Sequence, residues 1–228
     1  MARTKGYVPT GGWSTMAKVA TKNLLLVRSG QTEWDAGGRV QGAADLPLSS
    51  AGRAMVQAEA STLIGREMAM VLTGPDEASR ETARQIAEAT GAKVVVIPEL
   101  AEPALGLWEG MRTEDLEKRF CRAGRVFLED PCGVVAPEGD SLGDTAQRVL
   151  KAFTKGMSKC KAGGSIGLVV RPIALGIIRC TLHDADLGEL WTMAQDRPAL
   201  EWYTIQRDDP RLGKPPRQPR RERVVASR

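Results

Sequence analysis

The chain has 228 residues, 42% of them apolar, and carries 32 lysines and arginines against 28 acidic side chains, a formal balance of +4. That length and apolar content suffice for the core of one α/β domain. No apolar run approaches the roughly 20 residues of a membrane span, and no secretory apolar segment opens the chain, so a soluble, cytoplasmic protein is expected. The charge is uneven: the first 22 residues carry +4 with no acid, residues 207–228 carry +5, and the stretch between is about −5. Basicity therefore belongs to the ends, and the body offers no groove for nucleic acid.

In chain order, residues 1–22 hold Gly6, Pro9, Gly11 and Gly12 with little apolar periodicity and read as a flexible leader. Residues 22–28 are a short apolar run of the kind that forms a buried strand. Ser49 and Ser50 precede Ala54, Val56, Ala58, Leu63 and Ile64, predicting a capped helix that ends near Gly65. Residues 68–72 predict a second strand, 75–90 a helix closed by Gly91, and 93–97 a third strand. After a turn at Trp108–Gly110 come helices over 112–123 and 140–159, the second with apolar residues at helical spacing. Residues 165–170 predict the last central strand, Pro172 opens another helix, and 202–206 alternate as an edge strand does. Strands interleaved with helices predict an α/β three-layer sandwich over residues 23–206, with a largely parallel central sheet flanked by helices. From Asp208 the composition turns to Pro, Arg and Gly, so 207–228 read as a solvated basic tail, with an acidic partner as its functional alternative.

Cys121, Cys132, Cys160 and Cys180 follow no metal-ligand or Cys-x-x-Cys spacing. Free thiols are expected, and a disulfide stays open because spatial proximity is not legible. His183 is the only histidine, which excludes zinc sites built on several imidazoles and any mechanism needing two. No metal site is predicted. Neither a Gly-x-Gly-x-x-Gly nor a Walker loop is present, so no cofactor is predicted. Trp34, Trp108, Trp191 and Trp202 are expected to pack rather than to stack on bases.

The run Leu26-Val27-Arg28-Ser29-Gly30-Gln31-Thr32-Glu33-Trp34, continued by Gly38-Arg39-Val40-Gln41-Gly42 and Asp45-Leu46-Pro47-Leu48-Ser49, resembles the opening motif of the histidine phosphatase superfamily, which includes the cofactor-dependent phosphoglycerate mutases. In that family the loop reads Arg-His-Gly. Its neutral imidazole attacks phosphorus while arginines neutralise the equatorial oxygens. The resemblance implies that Arg28 faces the phosphate with Ser29 in the nucleophile's place, and Gln31 and Thr32 of the same loop are counted with them. Arg171, where the family has a serine, is read with Arg28 either as a reduced anion pocket of two guanidinium forks or as an ordinary salt bridge to nearby carboxylates. Anchors Pro75, Thr82 and Ala83 put Ala78 where the family has its helix arginine, and Arg80, about 200° further round the helix, faces away. Leu100-Ala101-Glu102 with Gly106-Leu107-Trp108-Glu109-Gly110 makes Glu102 the proton donor by resemblance, and Pro137-Glu138-Gly139-Asp140-Ser141 matches a further turn. The second histidine falls on Pro172 counted from the strand or on Ala174 counted back from Arg179.

With Ser29, Ala78 and Pro172 where reactive groups are required, the expected protein is a histidine-phosphatase-like pseudoenzyme that binds a phosphorylated small molecule or a partner protein. Two alternatives stay open. One is an active phosphomonoesterase or mutase using Ser29 with Glu102. The other is a structural or regulatory subunit without ligand.

Overall fold

The computed structural model describes residues 21–195, 199–206, 209–212, 214–217 and 224–225. The expected leader therefore lies outside the described residues, apart from Thr21 and Lys22. These open strand β1, Thr21–Arg28. There follow α1 (Glu33–Ala36), α2 (Ser50–Ser61), β2 (Met70–Thr73), α3 (Glu77–Thr90), β3 (Lys93–Val96), α4 (Thr113–Glu129), β4 (Val134–Val135), α5 (Leu142–Ser158), β5 (Ser165–Val170), α6 (Pro172–Leu182), α7 (Leu190–Ala194), β6 (Leu200–Gln206) and β7 (Val224–Val225).

Strand order in the main sheet is β3-β2-β5-β1-β6. All neighbours run parallel except β1 and β6, so β6 is an antiparallel edge. Leu24 to Val27 are wholly buried, as a strand covered on both faces requires. Their alternation divides the core. Leu24 and Leu26 join Val149, Leu150 and Phe153 of α5 and Ile177 and Ile178 of α6. Leu25 and Val27 join Ala60 of α2 and Ala83 and Ile86 of α3. Helices thus cover both faces of the sheet, as expected.

Local chemistry sets the helix starts. Ser49 accepts from Gly52 N–H, and Asp76 accepts from Ser79 N–H, capping α2 and α3. Gly91 closes α3 at φ 69°, a left-handed turn that favours glycine. At Gly52, α2 approaches the loop after β1 so closely that an added Cβ would lie 2.2 Å from the Gln31 carbonyl oxygen. The obstacle is backbone and cannot rotate away. Gly52→Ala is therefore expected to cost about 2 kcal/mol in urea unfolding and to displace the amide resonances of Gly30 and Gln31.

Two features depart from the sequence reading. The helix expected over 112–123 runs on to Glu129, broken at Cys121 (φ 38°, ψ −107°). The Pro- and Arg-rich segment is not solvated throughout: Arg211 donates to Leu182 O, Leu187 N–H donates to Arg217 O, and β7 pairs with β4. Arg211 is also held by Asp209, which is itself buried. Composition missed this because the packing uses scattered residues rather than a periodic apolar face. All four cysteines are free. Among the described residues no helix is long and apolar enough to cross a membrane.

Candidate functional site

β1 and β5 are adjacent and parallel, with Arg28 opposite Val170. The residues just beyond them, Ser29 and Arg171, therefore emerge side by side at the carboxyl edge of the sheet, where open α/β sheets form their crevice. Ser29 N–H donates to Val170 O and Arg28 N–H to Ala199 O, which pins the start of the loop. Gly30 N–H donates to the Thr82 hydroxyl of α3, 3.0 Å away, and that hydroxyl donates to Ala78 O.

Arg171 is 3% exposed. Its Nη1 and Nη2 donate to the two carboxylate oxygens of Asp35, each at 2.9 Å, and Nη2 donates also to Gln41 Oε1 at 2.6 Å. Such a two-pronged charged pair is strong and geometrically specific. The Thr32 hydroxyl lies 2.8 Å from Gln41 Oε1, and Thr32 N–H donates to Asp35 Oδ2. Thr32 also accepts from Asp35 N–H, completing a capping box at α1. Burial raises the Asp35 carboxyl, but hydrogen bonds and charge from Arg171, with help from Thr32, outweigh it and hold the group below the usual range. Burial likewise acts to lower the Arg171 pKa, and Asp35 overrides it.

Glu102 is buried, and its carboxylate accepts from Ile173 N–H at 3.0 Å and Ala174 N–H at 2.7 Å, the first free donors of α6. Arg171, the N-cap residue, makes no side-chain cap, so Glu102 supplies one from 71 residues before Ile173. Burial pushes this carboxyl up to about 7, against the lowering effect of those two N–H groups and of Arg171, with nearby Asp76 adding repulsion.

Ser29 is 4% exposed, and among the described residues its hydroxyl has no hydrogen-bond partner; Arg171 Nε–H is likewise buried without one. Gln31, counted with the phosphate positions, has an exposed side chain. Ala78 is fully buried against Leu48 and Val56. Arg80 approaches Asp45 at 4.0 Å. Pro172 is the first residue of α6, and Ala174 lies behind it, wholly buried. Arg179, the other counting anchor, is remote from this cluster and pairs with Glu201 and Met193 O. His183 caps the far end of α6 beside the Tyr203 hydroxyl. An 11-residue helix is about 16 Å long, which separates the imidazole from Arg171.

Two cavities meet at Gln41, Glu102 and Arg171. The larger, about 350 Å³, has an apolar wall of Val40, Leu105, Phe127, Ile173 and Trp191 and a charged side including Asp35 and Arg39. The smaller, about 190 Å³, is bordered by Asp45 and Asp76. Trp108, fully buried, packs edge-on against Phe127, and Phe127 against Trp191, so these aromatics back the larger cavity. Among the described residues no cluster of three or more His, Cys, Asp or Glu is placed to hold a metal ion. Asp35 and Gln41 were not singled out in the sequence, although Thr32-x-x-Asp35 has the spacing of a capping box and points to an ordered turn there.

A largely parallel sheet with a charged crevice on its carboxyl edge, entered through an Arg-x-Gly loop and lined by a buried carboxylate, defines an α/β domain of the open-sheet class. The family model of the histidine phosphatase superfamily (branch 1) matches residues 24–215, and the chain belongs to that superfamily. It is 28% identical to phosphoserine phosphatase 1 of Hydrogenobacter thermophilus over 76% of this chain and 82% of that one. It is 30% identical to a probable phosphoglycerate mutase, GpmB, of Yersinia enterocolitica over 70% of this chain and 74% of that one. Among solved structures, YhfR of Bacillus stearothermophilus superposes with a TM-score of 0.69 at 27% identity, covering 75% of this chain and 84% of that one. Mycobacterial glucosyl-3-phosphoglycerate phosphatase Rv2419c in complex with VO3 does so with a TM-score of 0.70 at 25% identity, covering 80% and 90%.

Proposed function

We propose that this chain keeps the histidine phosphatase scaffold without phosphohistidine transfer and acts by binding a phosphorylated small molecule at Arg28, Ser29, Thr32 and Arg171. One observation carries the binding half of this reading. Ser29 Oγ and Arg171 Nε, at neighbouring strand ends, are buried donors without partners among the described residues. An unpaired buried donor costs about 1–3 kcal/mol, and one oxyanion accepting from both would remove that cost. The larger cavity, at about 350 Å³ and lined by Arg171, has room for a small organic body.

The loss of transfer is supported by the same hydroxyl. A serine attacks phosphorus only when a base takes its proton within hydrogen-bond reach, and Ser29 Oγ has no such neighbour among the described residues. The chain's one imidazole is at the other end of α6. Glu102, spent on the α6 N–H groups, is held as a cap.

Titration with inorganic phosphate or tungstate is expected to move the Ser29 and Gly30 amide resonances and the Arg171 Nε resonance. Hydrolysis of p-nitrophenyl phosphate is expected to stay at the Ser29→Ala background. Turnover that vanishes in Ser29→Ala, or phosphoserine found at position 29 after incubation with a phosphomonoester, would refute the non-catalytic reading. Silence of all three resonances would refute the anion site.

A further inference from the structure

The sheet ends on one side at β3, whose outer edge pairs with no described strand. Ile97 N–H donates inward to Thr73 O, and backbone groups alternate sides along a strand. The N–H and C=O groups of Val94 and Val96 therefore point outward. Beside this edge runs a groove of about 580 Å³ between β3 and α5. Its floor is Ala152 and Gly156, and Gly156 lets α5 sit so close that a Cβ there would lie 2.4 Å from Leu72 Cδ1. Its wall is cationic. Lys151, Lys155 and Lys159 recur at every fourth residue and line the groove with Arg148. None of the three lysines makes an ion pair with a described residue. Glu99 is the one acid in the lining.

We infer that the β3 edge and the α5 lysine ridge together form a docking site for an extended acidic peptide segment of a partner protein, which adds as a sixth strand. Strand addition supplies main-chain hydrogen bonds at Val94 and Val96, and alternate side chains supply specificity. Val95 and Ile97 pack towards the α5 side, so Val94 and Val96, 36% and 45% exposed, face the other way. The complementary segment alternates acidic residues over the lysines with apolar residues over the two valines.

Charge selects this occupant over the others the edge could take. The chain's own termini are basic, with no acid before residue 20 and seven arginines from residue 207 onward, so they are repelled. A second copy joined edge to edge about a twofold axis would bring two lysine ridges side by side, and like charges so placed oppose association.

The test uses the full chain, isotope-labelled, and a capped peptide of about eight residues alternating Glu and Val, with a Lys/Val peptide as control. Saturable shifts at Val94, Val96, Ala152 and Gly156 with the acidic peptide alone are expected. Lys151→Glu with Lys155→Glu should weaken binding about tenfold, as loss of two exposed ion pairs implies. Val96→Pro removes only an outward N–H, which an edge strand tolerates, and should weaken binding without lowering the thermal transition. The proposal is overturned by absence of those shifts, by equal response to the basic peptide, by tighter binding of a single-stranded oligonucleotide, or by β3 shifts that grow with protein concentration alone.

Discussion

Asp35→Ala is expected to lower the stability of the fold by about 3 kcal/mol, the cost of stripping one partner from a buried ion pair. The magnitude follows from burial. The Arg171 side chain is 4% exposed and that of Asp35 16%, so the guanidinium left behind cannot recover its bonds from water. Gln41 Oε1 remains as acceptor, and Glu102 remains near enough to act on Arg171, so unfolding is partial in cost rather than complete. The same variant separates binding from architecture. In the wild-type protein Asp35 holds both Nη groups, which leaves an anion Nε alone. In the variant Nη1 is released as well. Inorganic phosphate at about ten times its dissociation constant should restore about 1.4 kcal/mol to the variant, with a smaller gain for the wild type at the same concentration. Chemical denaturation with and without phosphate measures both. Equal phosphate stabilisation of the two proteins would show that the anion does not use the Arg171 Nη groups that Asp35 holds.

Much of the fold was legible because its devices are local. Leu24 to Val27 form an apolar run too short for a helix, Ser49 and Gly91 punctuate α2 and α3, and Pro172 opens α6; the matching elements begin or end within about two residues of their expected bounds. The α4 continuation was not legible because Cys121 interrupts the helical geometry that periodicity presumes. β4 and β7 are two residues each and pair across 90 positions, beyond what a local pattern encodes. Of the candidate site, Arg28, Ser29 and Glu102 could be gathered by resemblance, and Arg171 by its place just after the last central strand. What the resemblance did not contain is the Arg171–Asp35 pair, formed between side chains 136 residues apart. Nor did it contain the use of Glu102 as a cap, since that depends on where α6 begins in space. A salt bridge to a nearby carboxylate was one of the two readings open for Arg171, but which carboxylate it meets depends on the fold.

Glu102 should make the protein lose stability as pH rises through neutrality, contrary to the usual behaviour of a carboxylate. Burial lifts its pKa from 4.5 to about 7 in the folded chain. Between those limits the folded state keeps a proton that the unfolded state has released, so raising the pH favours unfolding. Each unit is worth about 1.4 kcal/mol, giving about 3 kcal/mol across the window from pH 4.5 to 7. Asp35 acts in the opposite direction at lower pH. Its depressed pKa stabilises the fold above the normal aspartate range, and that contribution disappears on further acidification. Glu102→Gln removes the proton uptake while leaving one acceptor for the two α6 N–H groups. The variant should therefore be less stable than wild type near pH 5, by about 1 kcal/mol for the lost bond, and its stability should change little from there to pH 7.5. Urea unfolding of both proteins across that range checks the crossing. Parallel curves would mean that Glu102 is ionised throughout, a permanent anion at the head of α6 with no proton to give.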